Sequence, residues 1–250
     1  MSLRGRIALV TGAAHGLGRA TSRALAEAGC RVVVMADVDQ EAAATSGAQV
    51  ERAGAEALAV RTDLAVREEI ERLFRVIEER FGQLDVLVNN AAIAEGETDW
   101  PEVDLDRIGA IVDVNLRGTI YCTRLALPLM RAGGGVICNV ASGGAFAPSL
   151  PQAAYVATKA GIVHFSRSCE DLSETQGVRV TCLCPGMIET PGLRGLGGEA
   201  GPPDWLRESL EQWTPLEPEA VAARIVEMLL DEHGERVQMI NGAPRAAGAG

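Results

Sequence analysis

Tyr155 and Lys159 stand four residues apart in QAAYVATKAG, and Ser142 lies thirteen positions before the tyrosine. Lys159 is the one lysine of the chain; the other 22 of its 23 basic side chains are arginines. At this spacing on a helix, a phenol and an ammonium share a face about one turn apart. A phenol of ordinary pKa, about 10, is a poor base near neutrality, and an adjacent cation favours its phenolate. A serine hydroxyl nearby can hold a substrate oxygen. The three side chains together form a unit for moving a proton on or off an alcohol or a carbonyl. Tyr and Lys at this spacing are frequent on helix surfaces. Here the arginine usage singles the lysine out, because a compact ammonium with freely turning donors reaches two partners that a planar guanidinium does not.

A second group of residues is suited to a different task. TGAAHGLG places Gly12, Gly16 and Gly18 where a strand turns into a helix. Glycine there removes the Cβ that would hold a pyrophosphate away from backbone N–H groups, and the helix N-terminus adds partial positive charge. Alone, the spacing is also that of an ordinary tight turn. Asp37 closes the next apolar run, 19 residues beyond Gly18. That is close to the separation of roughly 20 at which an acid grips an adenosine ribose and repels a 2′-phosphate. ADVDQ carries no Arg or Lys, so NAD is favoured over NADP, with His15 as the one side chain of the turn that could help a phosphate.

These residues need a scaffold, and the apolar runs supply it. RIALVTG, CRVVVMAD, EALAVRTD, QLDVLVNN, GGVICNVAS, VRVTCLCP and RVQMIN are short, apolar on both faces and bounded by Gly, Asp, Asn or Pro, which predicts seven strands. Helical periodicity runs between them: Ile70, Leu73, Phe74, Ile77 and Phe81 share a face, as do Val221, Ile225, Met228 and Leu229. Further helices fit Ala20 to Ala28, Asp104 to Met130 and Gln152 to Leu172. The alternation predicts one α/β domain over residues 1–250, a doubly wound, mostly parallel Rossmann-type sheet with helices on both faces. Ligands then bind beyond the carboxyl ends of the strands. The Gly- and Pro-rich segment 187–213 is expected to be a lid loop, and 243–250 a flexible tail.

Composition narrows the partners. A net charge of −11 argues against nucleic acid or an anionic membrane. No apolar run reaches the roughly 18 residues of a span, and the chain starts directly in a strand, so a cytoplasmic location is expected. The six cysteines form no C-x-x-C and read as buried thiols, and no metal site is expected.

With these residues in view, the chain resembles the classical short-chain dehydrogenase/reductases over nearly its whole length. The ordered matches are Thr11-Gly12-x-x-x-Gly16-x-Gly18, Asp63, Asn89-Asn90-Ala91, Asn115, Ser142, Tyr155, Lys159, and Pro185-Gly186 with Thr190. The resemblance implies that Tyr155 is the general acid or base and Ser142 orients the substrate oxygen. It implies that Lys159 binds the nicotinamide ribose and lowers the tyrosine pKa, and that Asn115 holds a water of the proton relay. Leu17, Leu64 and Ala91 would line the dinucleotide site with Pro185 and Gly186. Asp63 would meet adenine, Asn90 the neighbouring ribose, and Ile188 and Thr190 the nicotinamide amide. A homotetramer or homodimer is implied as well. Ala92 stands where the family has glycine, and Asn241-Gly242-Ala243-Pro244 where it tends to have Asp-Gly-Gly.

The expectation is an NAD(H)-dependent oxidoreductase interconverting a secondary alcohol and a ketone. A non-catalytic dinucleotide sensor or scaffold on the same fold is the alternative, and an epimerase or dehydratase a third. Substrate walls are expected from Ala94 to Gly96, Gly143 to Gln152, Met187 and Leu193 to Trp205, mostly small or apolar apart from Glu95, Gln152 and Arg194. That composition suits a hydrophobic alcohol or ketone.

Overall fold

The structure, a computed structural model, describes residues 2–96, 98–130 and 134–245. Its strands are β1 (Ile7–Thr11), β2 (Val32–Asp37), β3 (Glu56–Arg61), β4 (Val86–Asn89), β5 (Gly135–Val140), β6 (Val178–Pro185) and β7 (Val237–Ile240). All pair in parallel, in the order β3-β2-β1-β4-β5-β6-β7. The helices between them are α1 (Gly16–Glu27), α2 (Gln40–Arg52), α3 (Arg67–Phe81), α4 (Leu105–Ile111), α5 (Thr119–Met130), α6 (Ala153–Ser168), α7 (Leu172–Gln176), α8 (Pro191–Arg194), α9 (Asp204–Gln212) and α10 (Pro218–Leu230).

Alternation along each strand divides the core between the two faces. Ala8 and Val10 of β1 pack with Leu25 of α1 and Val221 and Ile225 of α10. Ile7 and Leu9 pack on the other side with Ile70, Leu73 and Ile77 of α3 and Cys122 and Ala126 of α5. Each of the Val, Leu and Ile side chains contributes about 1.5–3 kcal/mol by leaving water. A smaller cluster seats Ile162 and Val163 of α6 against Ala141, Cys182 and Cys184. The Asp85 carboxylate ties the start of β4 to β1, accepting the Ile7 N–H at 2.8 Å and pairing with Arg6 at 2.6 Å. From β1 the chain builds outward to β3, then returns to lay β4 on the other side of β1. A crevice opens at that reversal, above the carboxyl ends of β1 and β4.

Four expectations need correction. The helix expected over 104–130 is interrupted: a π-helical stretch, Val112–Gly118, separates α4 from α5 and carries Asn115. The helix expected over 152–172 stops at Ser168, and α7 follows after a short turn. The segment 187–213 is largely helical, holding α8 and α9, with Leu206 buried in it. Its end is stitched to the start of the expected tail: Trp213 bridges Pro244, Thr214 N–H donates to the Ala243 carbonyl at 3.0 Å, and Arg245 N–H to that of Gln212 at 2.8 Å. The rest of that tail, 246–250, lies outside the described residues. Among the described residues no helix is long and apolar enough to cross a membrane.

Candidate active site

The turn after β1 is built around close backbone approach. Gly12 has a φ of 64°, and a Cβ there would stand 2.8 Å from the Ala91 Cα. A Cβ on Gly18 would collide with the Gly12 carbonyl oxygen. Larger residues therefore cannot hold this turn, and its backbone stays open to a phosphate at the start of α1. Leu17 lines the same space. The Asn90 amide braces the turn from β4, donating to the carbonyls of Thr11 at 2.9 Å and Gly12 at 3.1 Å. Its nitrogen is thus already committed, and only its oxygen is free of these bonds for the ribose the resemblance assigns to it.

Asp37 ends β2 with its carboxylate fixed by main chain, accepting from Ala14 N–H at 2.9 Å and Asp39 N–H at 3.1 Å. Asp63 follows β3 and accepts from Ala65 N–H at 2.8 Å. Both line one cleft of about 1050 Å³ together with Leu64, Asn90, Ala91 and Ala92. Pro185, Gly186, Ile188 and Thr190 line it from the β6 side. Gly186 N–H is held by the Ile240 carbonyl at 2.8 Å, and Thr190 caps α8 by accepting from Leu193 N–H at 3.2 Å.

Ser142, Tyr155 and Lys159 line the same cleft. Ser142 follows β5 and caps a short turn, its hydroxyl accepting from Gly144 N–H at 3.1 Å. Tyr155 lies in the first turn of α6 and Lys159 one turn on, with its ammonium 5.5 Å from the tyrosine ring centre. Lys159 is only 2% exposed and donates to the Val140 carbonyl at 2.8 Å. Burial lowers its pKa from 10.5 to about 8, with the Cys182 and Cys184 thiols pulling it back up. Burial raises the Tyr155 phenol above 10.0, the Ser142 hydroxyl beside it pulls it down, and the Glu95 carboxylate pushes it up. The lowering expected from Lys159 is therefore not part of this balance. Its ammonium is turned to the Val140 carbonyl, and the desolvation that raises the phenol dominates.

Two residues brace the tyrosine from outside the cleft. Asn115 is fully buried in the π-helical stretch: its amide oxygen accepts from Ile93 N–H at 2.8 Å, and its nitrogen donates to the Ile93 carbonyl at 2.8 Å and the Thr158 hydroxyl at 3.2 Å. Its side chain thus clamps the segment after β4 to α6, and it does not line the cleft. The π turn, a rare element often found at functional sites, is what carries it there. Glu95, 4% exposed, accepts the Tyr155 N–H at 3.0 Å and so caps the first turn of α6. Sequence reasoning placed Glu95 and Arg194 in the substrate wall; neither is there. Glu95 is turned inward to α6, and Arg194 lies at the surface paired with Glu189 at 2.6 Å.

The wall does contain Ala94, Gly96, Gly143, Gly144, Ala147, Ser149, Gln152, Met187, Leu193, Leu196 and Trp205. Arg107, Trp213, Asn241 and Gly242 join them; of these, Arg107 lies outside every segment expected at the site. The divergent C-terminal stretch thus contributes to the cleft. Among the described residues no three His, Cys, Asp or Glu side chains gather as metal ligands would.

A glycine-cradled turn at the sheet reversal, an acid ending β2 and a Ser, Tyr and Lys set in one cleft together define a dinucleotide-dependent type of site. The family model for short chain dehydrogenases matches residues 6–199, and the chain belongs to that family of oxidoreductases. It is 34% identical over 229 residues to a 3-oxoacyl-[acyl-carrier-protein] reductase of Synechocystis sp., covering 90% of this chain and 89% of that protein. It is 38% identical over 192 residues to cis-4-hydroxycyclohexanecarboxylate dehydrogenase of Sinomonas cyclohexanicum, covering 76% of each. Its structure matches a 3-ketoacyl-(acyl-carrier-protein) reductase from Brucella melitensis, solved with NADH, at a TM-score of 0.85 and 29% identity over 96% of this chain and 98% of that one. These relationships support a nicotinamide dinucleotide as the cofactor.

Proposed function

We propose that this chain is an NAD(H)-dependent oxidoreductase that interconverts a secondary alcohol and a ketone by hydride transfer. The observation that carries the reading is the gathering of Ser142, Tyr155 and Lys159 in the cleft whose other end holds the glycine turn and Asp37. The name of the Sinomonas relative, a dehydrogenase of a ring alcohol, supports the same chemistry.

In this reading the turn from Gly12 to Gly18 receives the pyrophosphate, Asp37 holds the adenosine ribose hydroxyls, Asp63 and Leu64 meet adenine, and Ile188 and Thr190 hold the carboxamide. Bound nicotinamide supplies the hydride acceptor in oxidation and the donor in reduction. Ser142 holds the substrate oxygen by hydrogen bonding. Tyr155 takes the hydroxyl proton at its phenolic oxygen during oxidation and returns it during reduction. Lys159, its ammonium 5.5 Å from the tyrosine ring centre, holds the nicotinamide ribose. Asn115 keeps α6 in register with the end of β4, so that a proton path from Tyr155 to solvent stays open. The chain is read as a cytoplasmic homotetramer or homodimer.

NAD is favoured over NADP because a 2′-phosphate would meet the Asp37 carboxylate. The depression beside it holds His15 and Arg19, but Asp39 and Glu41 offset them. Incubating the protein with secondary alcohols and either cofactor, and following absorbance of the reduced form, tests the proposal. NAD-dependent turnover is expected. Dinucleotide binding with no turnover of any alcohol would favour a sensor, and faster turnover with NADP would overturn the role of Asp37.

A further inference from the structure

We propose that Arg107 is the carboxylate-binding residue of the substrate site, so that the substrate is a hydroxy acid or keto acid with an apolar frame. The inference rests on the reading of the cleft as an alcohol and ketone site. Among the described residues lining that cleft, the ionic side chains are Asp37, Asp63, Arg107 and Lys159, with His15 as a further titratable one. Asp37, Asp63 and His15 belong to the glycine-turn end. Lys159 is buried beneath Tyr155 and bonded to the Val140 carbonyl. Arg107 is left as the ionic group of the substrate end, beside Gly96, in a cleft also lined by small or apolar residues such as Ala92, Ile93, Ala147, Met187 and Leu196.

Its guanidinium is held through Nε, and no described carboxylate neutralises it. Nε donates to the main-chain carbonyls of Ala94 at 2.8 Å and Glu95 at 3.2 Å. That leaves the terminal nitrogens, four N–H donors in a planar fork suited to a carboxylate. Ten arginines of the described chain lie within ion-pair range of a carboxylate, Arg117 and Arg194 among them, whereas no described carboxylate lies in such range of Arg107. The adjacent acid, Glu95, bonds through its side chain to the Tyr155 N–H instead, and its second oxygen is buried without a partner. Arg107 also stands in the first turn of α4, where the helix dipole disfavours a cation. Its local bonds, Nε to the two carbonyls and main-chain N–H to the Asp104 carboxylate at 2.7 Å, leave the terminal nitrogens unused.

Geometry relates this cation to the reaction. Glu95 holds Arg107 through its main-chain carbonyl and Tyr155 through its side chain, so a single residue bridges the two. A substrate with its hydroxyl at Ser142 and Tyr155 and its carboxylate on Arg107 would bridge two groups of one cleft. Two fixed ends would present one carbon for hydride transfer.

The test uses 4-hydroxycyclohexanecarboxylate and 3-hydroxyoctanoate, each beside its methyl ester, with NAD and with NADP. The wild-type protein is expected to prefer the acids. Arg107→Gln is expected to lower the acid-to-ester ratio of kcat/KM by about 10- to 100-fold, the size of a charge-assisted contact, with the change in KM. Arg107→Lys, which keeps charge but loses the fork, is expected to fall between. Fluorescence titration with NADH checks that each variant is folded. An unchanged ratio in Arg107→Gln overturns the inference, as does a wild-type protein that turns over esters or neutral alcohols but not the acids. Absence of turnover with every alcohol and both cofactors overturns the oxidoreductase reading beneath it.

Discussion

The two ends of the cleft are built from different materials. At the β1 and β2 end, the main chain sets position. Gly12 and Gly18 allow backbone to meet backbone, Asp37 accepts from two backbone N–H groups, and Asn90 ties β4 to the carbonyls of Thr11 and Gly12. At the substrate end, side chains join one segment to another. Trp205 in α9 donates to the Asp99 carboxylate, 106 residues away, and Arg107 reaches the carbonyls of Ala94 and Glu95. A main-chain site binds one kind of ligand and admits few substitutions. A side-chain wall can change its ligand while the sheet beneath stays as it is.

The largest effects are expected where the two ends meet. Tyr155→Phe keeps the ring and removes the proton carrier, so turnover should fall by about 10²- to 10⁴-fold. Lys159→Arg should also abolish most turnover, because the bulkier fork does not fit between the Val140 carbonyl and the tyrosine ring. Stopped-flow and steady-state assays with a secondary alcohol check both. Turnover close to that of the wild type in Lys159→Arg would remove shape from the argument and leave only charge.

Lys159 also links the site to stability. Its pKa is lowered from 10.5 to about 8 in the folded chain. Between those values the unfolded chain binds the proton and the folded one does not, so stability rises with pH through this window; below about pH 8 the full cost of burying the ammonium is present. Relative to Lys159→Met, the wild-type protein should gain about 2 kcal/mol between roughly pH 7.5 and 9.5, read from urea unfolding of both proteins. The comparison cancels the titration of groups they share. A constant difference across that range would mean that the ammonium is better solvated than its 2% exposure implies.

How much of this was legible follows the same division. The strands and the glycine turn could be read because backbone geometry demands particular residues: apolar runs on both faces of a parallel sheet, and glycine where φ is positive or backbones touch. Tyr155 and Lys159 were legible through helical spacing. The π turn was not, since Val112 to Gly118 reads as ordinary helix and its wider backbone bonding leaves no mark in residue type or spacing. Arg107 reads as a solvated helix residue until the fold brings Ala94 and Glu95 against it. Glu95 and Arg194 failed in the opposite way, since polarity near the site in sequence does not tell which side of the backbone faces the cleft.

A smaller effect is expected at the dinucleotide end. Asp37→Ala removes the charge that meets a 2′-phosphate while the turn around Gly12 remains. The ratio of NAD to NADP affinity should fall by roughly 10-fold or more, by loss of about 1–2 kcal/mol of discrimination. Fluorescence titration with both reduced cofactors measures it. KM for the alcohol at saturating cofactor should hardly move, because Asp37 contacts only the far end of the cleft; a large change there would couple ends that the structure keeps apart.

The smallest effect belongs to Trp205→Phe, and it is the sharpest test of the division. The indole N–H donates to the Asp99 carboxylate at 3.2 Å, joining α9 to the segment before α4. Phenylalanine keeps an aromatic wall over the cleft and loses that bond, while Leu206, 1% exposed, still anchors α9. A single charge-assisted bond at a half-exposed site is worth about 1 kcal/mol, so KM should rise roughly 3- to 10-fold with kcat nearly constant. NADH affinity should stay at its wild-type value, since no bond from Trp205 reaches the glycine turn. Weakened NADH binding in this variant would mean that α9 acts on both ends of the cleft at once, and that the substrate wall is not free to vary independently of the dinucleotide site.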